Sequence, residues 1–378
     1  MSIYRRSEAS TPVLLRPRNF QWYWNSSADP WATIVETEQL DVWQKYTDVE
    51  NEILEDAFNN KIKEVELDCD YVVNFKHEVQ YNKRDKTKQR PIKRVQLLSD
   101  RSNVHLREER FSSTITLTDS STMAAASTDD EQELLRRLRE YGDLSDAYLE
   151  LELVKTKTNK TFADVVEEAA SGILKEGAKL GKEKEAKWLA QRLIDVKLVG
   201  EKLEAGFLED IPQQIGETCI YLYTKESFWY KLLNSTLRCH QTMTREHVKT
   251  MGPFCWLLKN YIVEKSNRGR LTVYRGLTLT DEQRKEFTKE KSVLTHFTST
   301  STNRKLAERF GNTLLVFDLN MQFFGEDRYK EYGMDVSSIS DFPNEEEYTM
   351  YPGTKLRFVR AEYDNEAKKH IIYLTTCH

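Results

Sequence analysis

The order of the hydrophobic patterns along the chain constrains the fold most strongly. Short segments that alternate between apolar and polar residues, such as Phe20–Trp24 and Tyr71–Phe75, are typical of strands and occur within residues 20–98. Helical periodicity dominates from about residue 131, and strand-like sequence returns at Leu271. Because helices and strands come in blocks and do not alternate, the pattern predicts an α+β fold and not a doubly wound sheet.

The same pattern divides the 378 residues into four parts. A strand-rich domain with one helix spans 18–98, and a stretch rich in Ser, Thr and Asp at 99–130 is predicted to be a linker. A charged, amphipathic helical segment follows at 131–204, and its simplest interpretation is packing against the next domain. The last domain spans 205–378 and places helices before strands.

Composition excludes several classes of protein. No run of 18 apolar residues occurs, and the N-terminal residues lack the apolar core of a secretory signal, so we expect neither a membrane span nor secretion. The five cysteines are widely spaced, which favours reduced thiols and an intracellular location, cytoplasmic or nuclear. The histidines and cysteines show no metal-ligand spacing, so no metal is expected.

A basic stretch stands out in a chain whose net charge is −5. Residues 81–94, YNKRDKTKQRPIKR, hold seven Lys or Arg and one Asp, which indicates an anionic ligand. Tyr71 and Gln80 lie just upstream, where an aromatic face can stack on a base and an amide can bind a base edge, while Arg binds phosphate. Nucleic acid is a weaker interpretation because no RNA-binding motif accompanies the stretch.

The residues from Trp22 to Arg94 resemble a WWE domain, through WQKYTDVENEILEDAF, YVVNFKHEVQYNKR and RPIKR. The resemblance implies a half-barrel of strands around one helix. It also implies binding of ADP-ribose or poly(ADP-ribose), through the positions that correspond to the ligand-binding residues of the family: Tyr46, Tyr71, Gln80 and Arg90. A role as a scaffold without this ligand stays open.

Three short motifs near the C-terminus contain residue types that suit catalysis. LTVYRGL carries Arg275 and Gly276, HFTSTST carries residues 299–301, and NEEEYTMYPGTKLRFV carries Glu345 and Glu347. Each motif alone is weak. If the glutamate segment is extended, alternate residues face the same side, so Glu345 and Glu347 would enter one cleft while Glu346 faces away. A shifted register, Asn344-x-Glu346, is the alternative, and we prefer Glu347 because strand-like sequence begins directly after it.

Two carboxylates in one cleft suit glycosyl transfer, which passes through an oxocarbenium-like transition state. Cleavage of NAD between nicotinamide and ribose is such a reaction. One glutamate can stabilise the growing positive charge, and the other can orient an incoming nucleophile. An arginine can bind the diphosphate, and a serine hydroxyl can hold a glutamate in position.

The order Arg, Ser-Thr-Ser, Glu-x-Glu resembles the mono-ADP-ribosyltransferases of the cholera-toxin-like class. The resemblance implies helices with two packed antiparallel sheets, and NAD as substrate without a metal. It implies that Glu347 is the catalytic glutamate and that Glu345 goes with arginine as acceptor. It places the NAD-binding arginine and the Ser-Thr-Ser strand at the cofactor, which gives the candidate set Arg275, Gly276, Ser299, Thr300 and Ser301.

Together the two resemblances imply transfer of one ADP-ribose from NAD to an arginine of a protein acceptor, at sites to which the N-terminal domain binds. Two alternatives stay open: an NAD glycohydrolase, and a non-catalytic scaffold that reads poly(ADP-ribose). The polymerase class is not favoured, because its site needs a His-Gly pair and none of the seven histidines is followed by Gly.

Overall fold

The computed structural model describes most of the chain. The described residues are 20–31, 42–97, 107, 110, 115, 117–119, 136, 138, 143–154, 160–205, 210–265, 271–319 and 332–377. All five cysteines lie within these ranges and none forms a disulfide. No helix among the described residues is long and apolar enough to cross a membrane.

The N-terminal domain is an antiparallel sheet around one helix. Its described strands lie in the order β2-β1-β6-β5-β4-β3, and every neighbouring pair is antiparallel. The elements are β1 (Phe20–Asn25), β2 (Trp43–Lys45), α1 (Asp48–Asn59), β3 (Glu64–Glu66), β4 (Tyr71–Asn74), β5 (Val79–Asn82) and β6 (Gln89–Gln96). The predicted half-barrel with one helix is therefore confirmed.

Helix α1 begins where its sequence supplies a capping box. The Thr47 hydroxyl accepts from the Glu50 amide, and the Glu50 carboxylate accepts from the Thr47 amide, which pairs two donors that a helix start leaves open. Leu54 on the buried face of the helix packs into a small core with Trp22 and Val73. This core fixes α1 against the concave side of the sheet.

A helical layer separates the two sheets. Its helices are α2 (Leu144–Tyr148, continued by a π-helical turn over Leu149–Val154), α3 (Phe162–Lys179), α4 (Glu183–Asp195), α5 (Gln213–Thr224), α6 (Phe228–Arg238) and α7 (Arg245–Lys265). Gly172 allows α3 and α7 to approach closely, because a Cβ there would lie 1.8 Å from the Thr250 carbonyl oxygen. The aromatic rings of Trp229 and Trp256 are fully buried in this layer.

The C-terminal domain is built on a mixed sheet. Its described strands are β7 (Leu117–Asp119), β8 (Leu271–Leu277), β9 (Lys291–Leu294), β10 (Thr298–Ser301), β11 (Thr313–Leu319), β12 (Gly333–Asp335), β13 (Glu347–Met350), β14 (Lys355–Asp364) and β15 (Lys369–Thr376). Two short helices, α8 (Asp281–Glu286) and α9 (Arg304–Ala307), lie in its connections. The helices-then-strands order predicted for this domain, and the α+β class, are confirmed.

The strand order is β12-β13-β10-β8-β11-β15-β14-β9-β7. We expected two packed antiparallel sheets, whereas these strands are hydrogen-bonded in one continuous order. The reason is that β11 pairs antiparallel with β8 and parallel with β15, so it joins the two halves. The strands that carry the three sequence motifs, β13, β10 and β8, are direct neighbours in this order.

The N-terminal domain docks on the helical layer through charged contacts. Asp68 accepts hydrogen bonds from the amides of Lys184 and Glu185, at 2.8 and 3.1 Å, and so caps the start of α4, which has no side-chain cap of its own. Asp48, at the start of α1, accepts a hydrogen bond from the Glu226 amide at 2.8 Å. These contacts bring the N-terminal domain next to α6 and the turn that precedes it.

Candidate active site

The two glutamates are brought together by a turn and not by an extended strand. Residues Pro343–Glu345 form a single 3-10 turn, Glu346 has a left-handed backbone with φ 45°, and β13 begins at Glu347. The side chains of Glu345 and Glu347 are both fully buried, whereas Glu346 is exposed. The expected pairing of the two carboxylates is found, but the extended geometry that we gave as its cause is wrong. The shifted register has no support, because Glu346 points to the surface residue Asn303.

The Ser-Thr-Ser strand holds the glutamate turn in place. In the β10–β13 pairing Ser301 lies opposite Glu347 and Ser299 lies opposite Thr349. The Ser301 hydroxyl donates to the Glu345 carbonyl oxygen at 2.8 Å. On the neighbouring residue, the Thr300 hydroxyl donates to the carbonyl of Tyr348 at 2.7 Å. Both hydroxyls thus bind the backbone of the adjacent segment.

Ser299 and Arg275 connect β10 to β8. The Arg275 guanidinium donates from Nη1 to the Ser299 carbonyl oxygen, and both residues are buried. The Ser299 hydroxyl makes no hydrogen bond of regular geometry with the described residues, yet it lies near enough to Glu347 to help lower the pKa of that carboxyl. Gly276 follows, where a Cβ would lie 2.1 Å from the Ala307 carbonyl oxygen, so this glycine serves the close approach of that backbone.

Arg275 lies in a positively charged environment. Burial, together with the neighbouring cations Arg238 and Arg110, lowers the pKa of its guanidinium to about 10, against Tyr230 and Tyr223, which act in the opposite direction. The pKa of the His296 ring is well below its usual range because of burial, with Arg238 and Arg275 adding to the effect. His296 is therefore neutral at pH 7, and the local excess of charge comes from the arginines.

Two arginines that we did not predict form ion pairs with the two glutamates. Arg107 donates from Nε to Glu345 Oε1 at 3.1 Å and from Nη2 to Glu345 Oε2. Its backbone amide donates to Glu345 Oε1 as well, at 3.0 Å. Arg110 donates to Glu347 Oε1 from Nε at 2.9 Å and from Nη2 at 2.8 Å. All four side chains are buried, so these are interior ion pairs.

The electrostatics of Glu347 follow from this pairing. Burial alone would raise the pKa of the Glu347 carboxyl, but the charges of Arg110 and then Arg107 outweigh burial and hold the pKa below its ordinary value. In turn, burial disfavours the charge on Arg110, but Glu347 more than compensates and raises the pKa of Arg110. Glu347 is therefore ionised at neutral pH.

Aromatic rings line the space around the two arginines. The Arg110 guanidinium lies 4.3 Å from the ring centre of Tyr230 and 4.9 Å from that of Tyr223. The guanidinium of Arg107 lies 3.8 Å from the ring centre of Phe342. A cavity of about 730 Å³ adjoins this region, and α6 lines it with Tyr230, Asn234 and Arg238 at successive turns of one face. Neither glutamate lines this cavity, and it is Arg110, which lies between Glu347 and Tyr230, that connects the glutamates to its wall.

Comparison with protein-family models gives two matches. The family model described as "NAD:arginine ADP-ribosyltransferase" matches residues 156–377, which is more than half of the chain. This chain belongs to the NAD:arginine ADP-ribosyltransferase family. A second model, the WWE domain, matches residues 20–94. The transferase match begins within the segment that we treated separately as helical, 131–204, and no curated protein sequence matches the chain.

Three of the solved structures that match this chain are only distantly similar to it. HopU1 of Pseudomonas syringae pv. Tomato DC3000 is 21% identical, with TM-score 0.35, over 43% of this chain and 77% of its own. Exoenzyme S of Pseudomonas aeruginosa, solved with human 14-3-3 protein beta and carba-NAD, is 18% identical, with TM-score 0.37, over 56% and 88%. The type III effector XopAI of Xanthomonas axonopodis pv. citri is 14% identical, with TM-score 0.41, over 66% and 100%.

The WWE domain brings its four candidate ligand residues to one region. Tyr71 and Val73 share a face of β4, Val73 pairs with Gln80 on β5, and Gln80 pairs with Arg90 on β6, so Tyr71, Gln80 and Arg90 lie on the same face. The Tyr46 hydroxyl donates to Gln80 Oε1 at 2.7 Å. Gln80 and Tyr46 are buried, whereas Tyr71 is 38% exposed and offers a ring for stacking.

Arg90 is fixed at the rim of this region. Its Nη1 donates to the carbonyl oxygens of Asn25 and Ser27, at 3.0 and 2.7 Å, and its guanidinium lies 5.7 Å from the ring centre of Trp24. A guanidinium held in this way keeps its remaining donors in a fixed direction.

Among the described residues no group of three His, Cys, Asp or Glu is placed to hold a metal.

No sequence motif marks Arg107 and Arg110 as site residues. They lie in the stretch 99–130 that we predicted to be a linker. In a linker, two arginines three residues apart are expected to be exposed to solvent. A more telling signal was available in the acidic pair itself. Two carboxylates that are buried side by side need cations, and Arg275 alone cannot neutralise both.

Proposed function

We propose that this member of the family transfers a single ADP-ribose from NAD to an arginine of a protein acceptor, with release of nicotinamide. The observation that supports arginine as acceptor is that Glu345 already binds a guanidinium. Arg107 donates to both of its carboxylate oxygens, through Nε and Nη2. A carboxylate placed to accept this two-pronged contact has the shape and charge to bind the guanidinium of another protein.

The surroundings of Arg275 suit the diphosphate of NAD. Its guanidinium is buried, and burial together with the neighbouring cation Arg238 lowers its pKa to about 10, so an anion at this point would lower the cost of the clustered charge. The adjoining cavity of about 730 Å³ offers the ring of Tyr230 and the amide of Asn234 to the rest of the dinucleotide. These groups suit an anionic ligand with aromatic parts.

The two glutamates divide the chemistry between them. In the proposed reaction the Glu347 carboxylate binds the nicotinamide ribose and stabilises the positive charge that develops there as the bond from C1′ to nicotinamide breaks. Nicotinamide leaves as a neutral molecule. A guanidinium nitrogen of the acceptor forms the new bond to C1′ and gives its proton to Glu345, from which it passes to solvent.

We also propose that the WWE domain binds ADP-ribose or poly(ADP-ribose) and so localises the transferase. The shared face of Tyr71, Gln80 and Arg90 supports this, with an exposed ring next to a buried amide and a fixed guanidinium. Both domains would then bind the same chemical group. The intracellular location expected from the cysteines stays a prediction.

Incubation with NAD labelled in the adenosine part, together with poly-arginine, tests the proposed reaction. Label on poly-arginine is the expected result, and it should be lost in Glu347→Gln but kept in Glu346→Gln. The exposed Glu346 is a matched control, because it differs from Glu347 by one position and lies outside the buried pair. Label found only in free ADP-ribose would indicate an NAD glycohydrolase, and unchanged NAD would favour the scaffold.

A further inference from the structure

The arginine pair, Arg107 and Arg110, occupies both glutamates at once. We propose that this pair is an intramolecular pseudo-acceptor, which closes the transferase site until NAD and an acceptor displace it. The inference rests on the proposed function, since it takes Glu345 as the acceptor-binding residue and Glu347 as the ribose-binding residue. It goes beyond that function by assigning a role to the stretch between the two domains.

Arg107 takes the place of an acceptor arginine. Its guanidinium uses both oxygens of Glu345, lies against the ring of Phe342 and donates from Nη1 to the carbonyl of Thr224. Nη2 also lies 3.4 Å from Glu347 Oε2, so the side chain reaches toward the second carboxylate. The guanidinium of an acceptor cannot bind Glu345 while Arg107 is in place, because both carboxylate oxygens already accept hydrogen bonds from Arg107.

Arg110 blocks Glu347, the residue proposed to bind the nicotinamide ribose of NAD. It binds Glu347 through Nε and Nη2 and donates from Nη1 to the carbonyl of Tyr223 at 3.1 Å. Its guanidinium lies over Tyr230, on the helix face that lines the adjoining cavity. A ribose hydroxyl that needs Glu347 must therefore displace Arg110. One segment of the chain thus excludes both substrates.

The charges and the attachment of the segment fit reversible closure. Two cations neutralise two buried carboxylates, so neither glutamate carries an uncompensated charge while the site is closed. The chain that carries the pair is anchored on both sides, by β6 of the WWE domain, which ends at Gln96, and by β7, where Leu117–Asp119 pairs with β9. A tethered occupant of this kind has a high effective concentration, yet it stays attached after it leaves the site.

Binding of NAD, measured by calorimetry on the full chain, tests the proposal without requiring turnover. Arg107→Ala/Arg110→Ala should bind NAD at least about tenfold more tightly than wild type, because closure lowers the apparent affinity by the fraction of open molecules. Arg94→Ala is the matched control. It removes another two-pronged Arg–Glu pair, with Glu55 in the WWE domain, and should leave NAD binding unchanged.

A peptide supplies the second test, since removal of a buried arginine can also weaken folding. A peptide of residues 103–115 should compete with NAD for the double variant, and the same peptide with alanine at positions 107 and 110 should not. Competition with NAD by the arginine-containing peptide alone would show that the double variant is folded and that the arginines themselves close the site. Equal affinity of wild type and the double variant for NAD, or equal competition by both peptides, would overturn the proposal.

The two proposals fail in different ways. Tight NAD binding by the double variant without label on poly-arginine would contradict transfer to arginine and leave closure standing. Label on poly-arginine from wild type at the rate of the double variant would contradict closure and leave transfer standing. ADP-ribose attached to Arg107 of wild type as rapidly as to poly-arginine would also overturn closure, because the residue would then be an acceptor.

Discussion

The Ser301 hydroxyl donates a hydrogen bond to the Glu345 carbonyl oxygen at 2.8 Å, and the same hydroxyl accepts from the Asn303 amide at 3.0 Å. Ser301 therefore connects the last residue of the Ser-Thr-Ser strand to the turn that carries the glutamates. Since Ser301 also lies opposite Glu347 in the strand pairing, one residue sets the positions of both carboxylates. We therefore propose that Ser301 positions the two glutamates.

Replacement of this serine tests its positioning role. Ser301→Ala leaves the Glu345 carbonyl without its side-chain donor, so the free energy of unfolding should fall by about 1 kcal/mol. The loosened turn should lower kcat by about tenfold and change KM for NAD little, because the carboxylates are retained. Urea unfolding and steady-state kinetics measure the two effects. Thr288→Ala removes an exposed hydroxyl that donates to another backbone carbonyl, that of Lys285, and should change neither. A loss of kcat in that control would contradict the assignment.

The ion pair of Glu347 predicts a loss of stability in acid. Its pKa lies below the ordinary value of 4.5, held there against burial by Arg110 and Arg107. A carboxyl with a lowered folded pKa contributes stability that is present above its unfolded pKa and is lost as pH falls through the folded one. The free energy of unfolding should therefore decline below pH 4.5, and less steeply in Glu347→Gln. Parallel curves for the two proteins between pH 3 and 6 would contradict the pairing.

Glu185 predicts a dependence of the opposite sign at the contact between the domains. Burial raises the pKa of its carboxyl to about 7, against a hydrogen bond from the Phe228 amide. Since the folded protein keeps this proton where the unfolded chain has lost it, stability falls as pH rises from about 4.5 to 7. The loss should be about 3 kcal/mol. Glu185→Gln keeps the acceptor for Phe228 and should show no such decline, as measured by urea unfolding at each pH.

The WWE domain should bind poly(ADP-ribose) through its candidate face. Tyr71→Ala removes the exposed ring and Arg90→Ala removes the fixed guanidinium, so each should weaken capture by immobilised poly(ADP-ribose) by at least about tenfold. Tyr363→Ala, an exposed tyrosine of the transferase domain, is the matched control and should leave capture unchanged. Capture that survives Tyr71→Ala combined with Arg90→Ala would place the ligand elsewhere.

Much of the fold could be predicted because local patterns and tertiary structure agree. The alternation in Phe20–Trp24 is a local signal, and β1 forms over these residues. The neighbouring positions of β8, β10 and β13 could be expected only from the resemblance, since no local signal fixes strand order. The pairing of β11 with β15 is a long-range contact of the same kind.

Parts of the candidate site could not be predicted from sequence patterns. The convergence of Glu345 and Glu347 depends on the left-handed backbone of Glu346, and a non-glycine residue in that conformation is not indicated by its sequence. Arg107 and Arg110 meet glutamates more than 200 positions later in the chain. Contacts between such distant positions follow from packing, so a stretch whose composition is typical of a linker contained residues of the site.

The division of labour between the glutamates is tested most directly by Glu345→Gln in the labelled NAD assay. The ratio of label on poly-arginine to label in free ADP-ribose should fall by about a hundredfold, because only the step with the acceptor needs this carboxylate. Glu346→Gln should keep the wild-type ratio. A Glu345→Gln protein that keeps this ratio, whether by retaining transfer or by losing both products equally, would contradict arginine transfer through the Glu345–Glu347 pair.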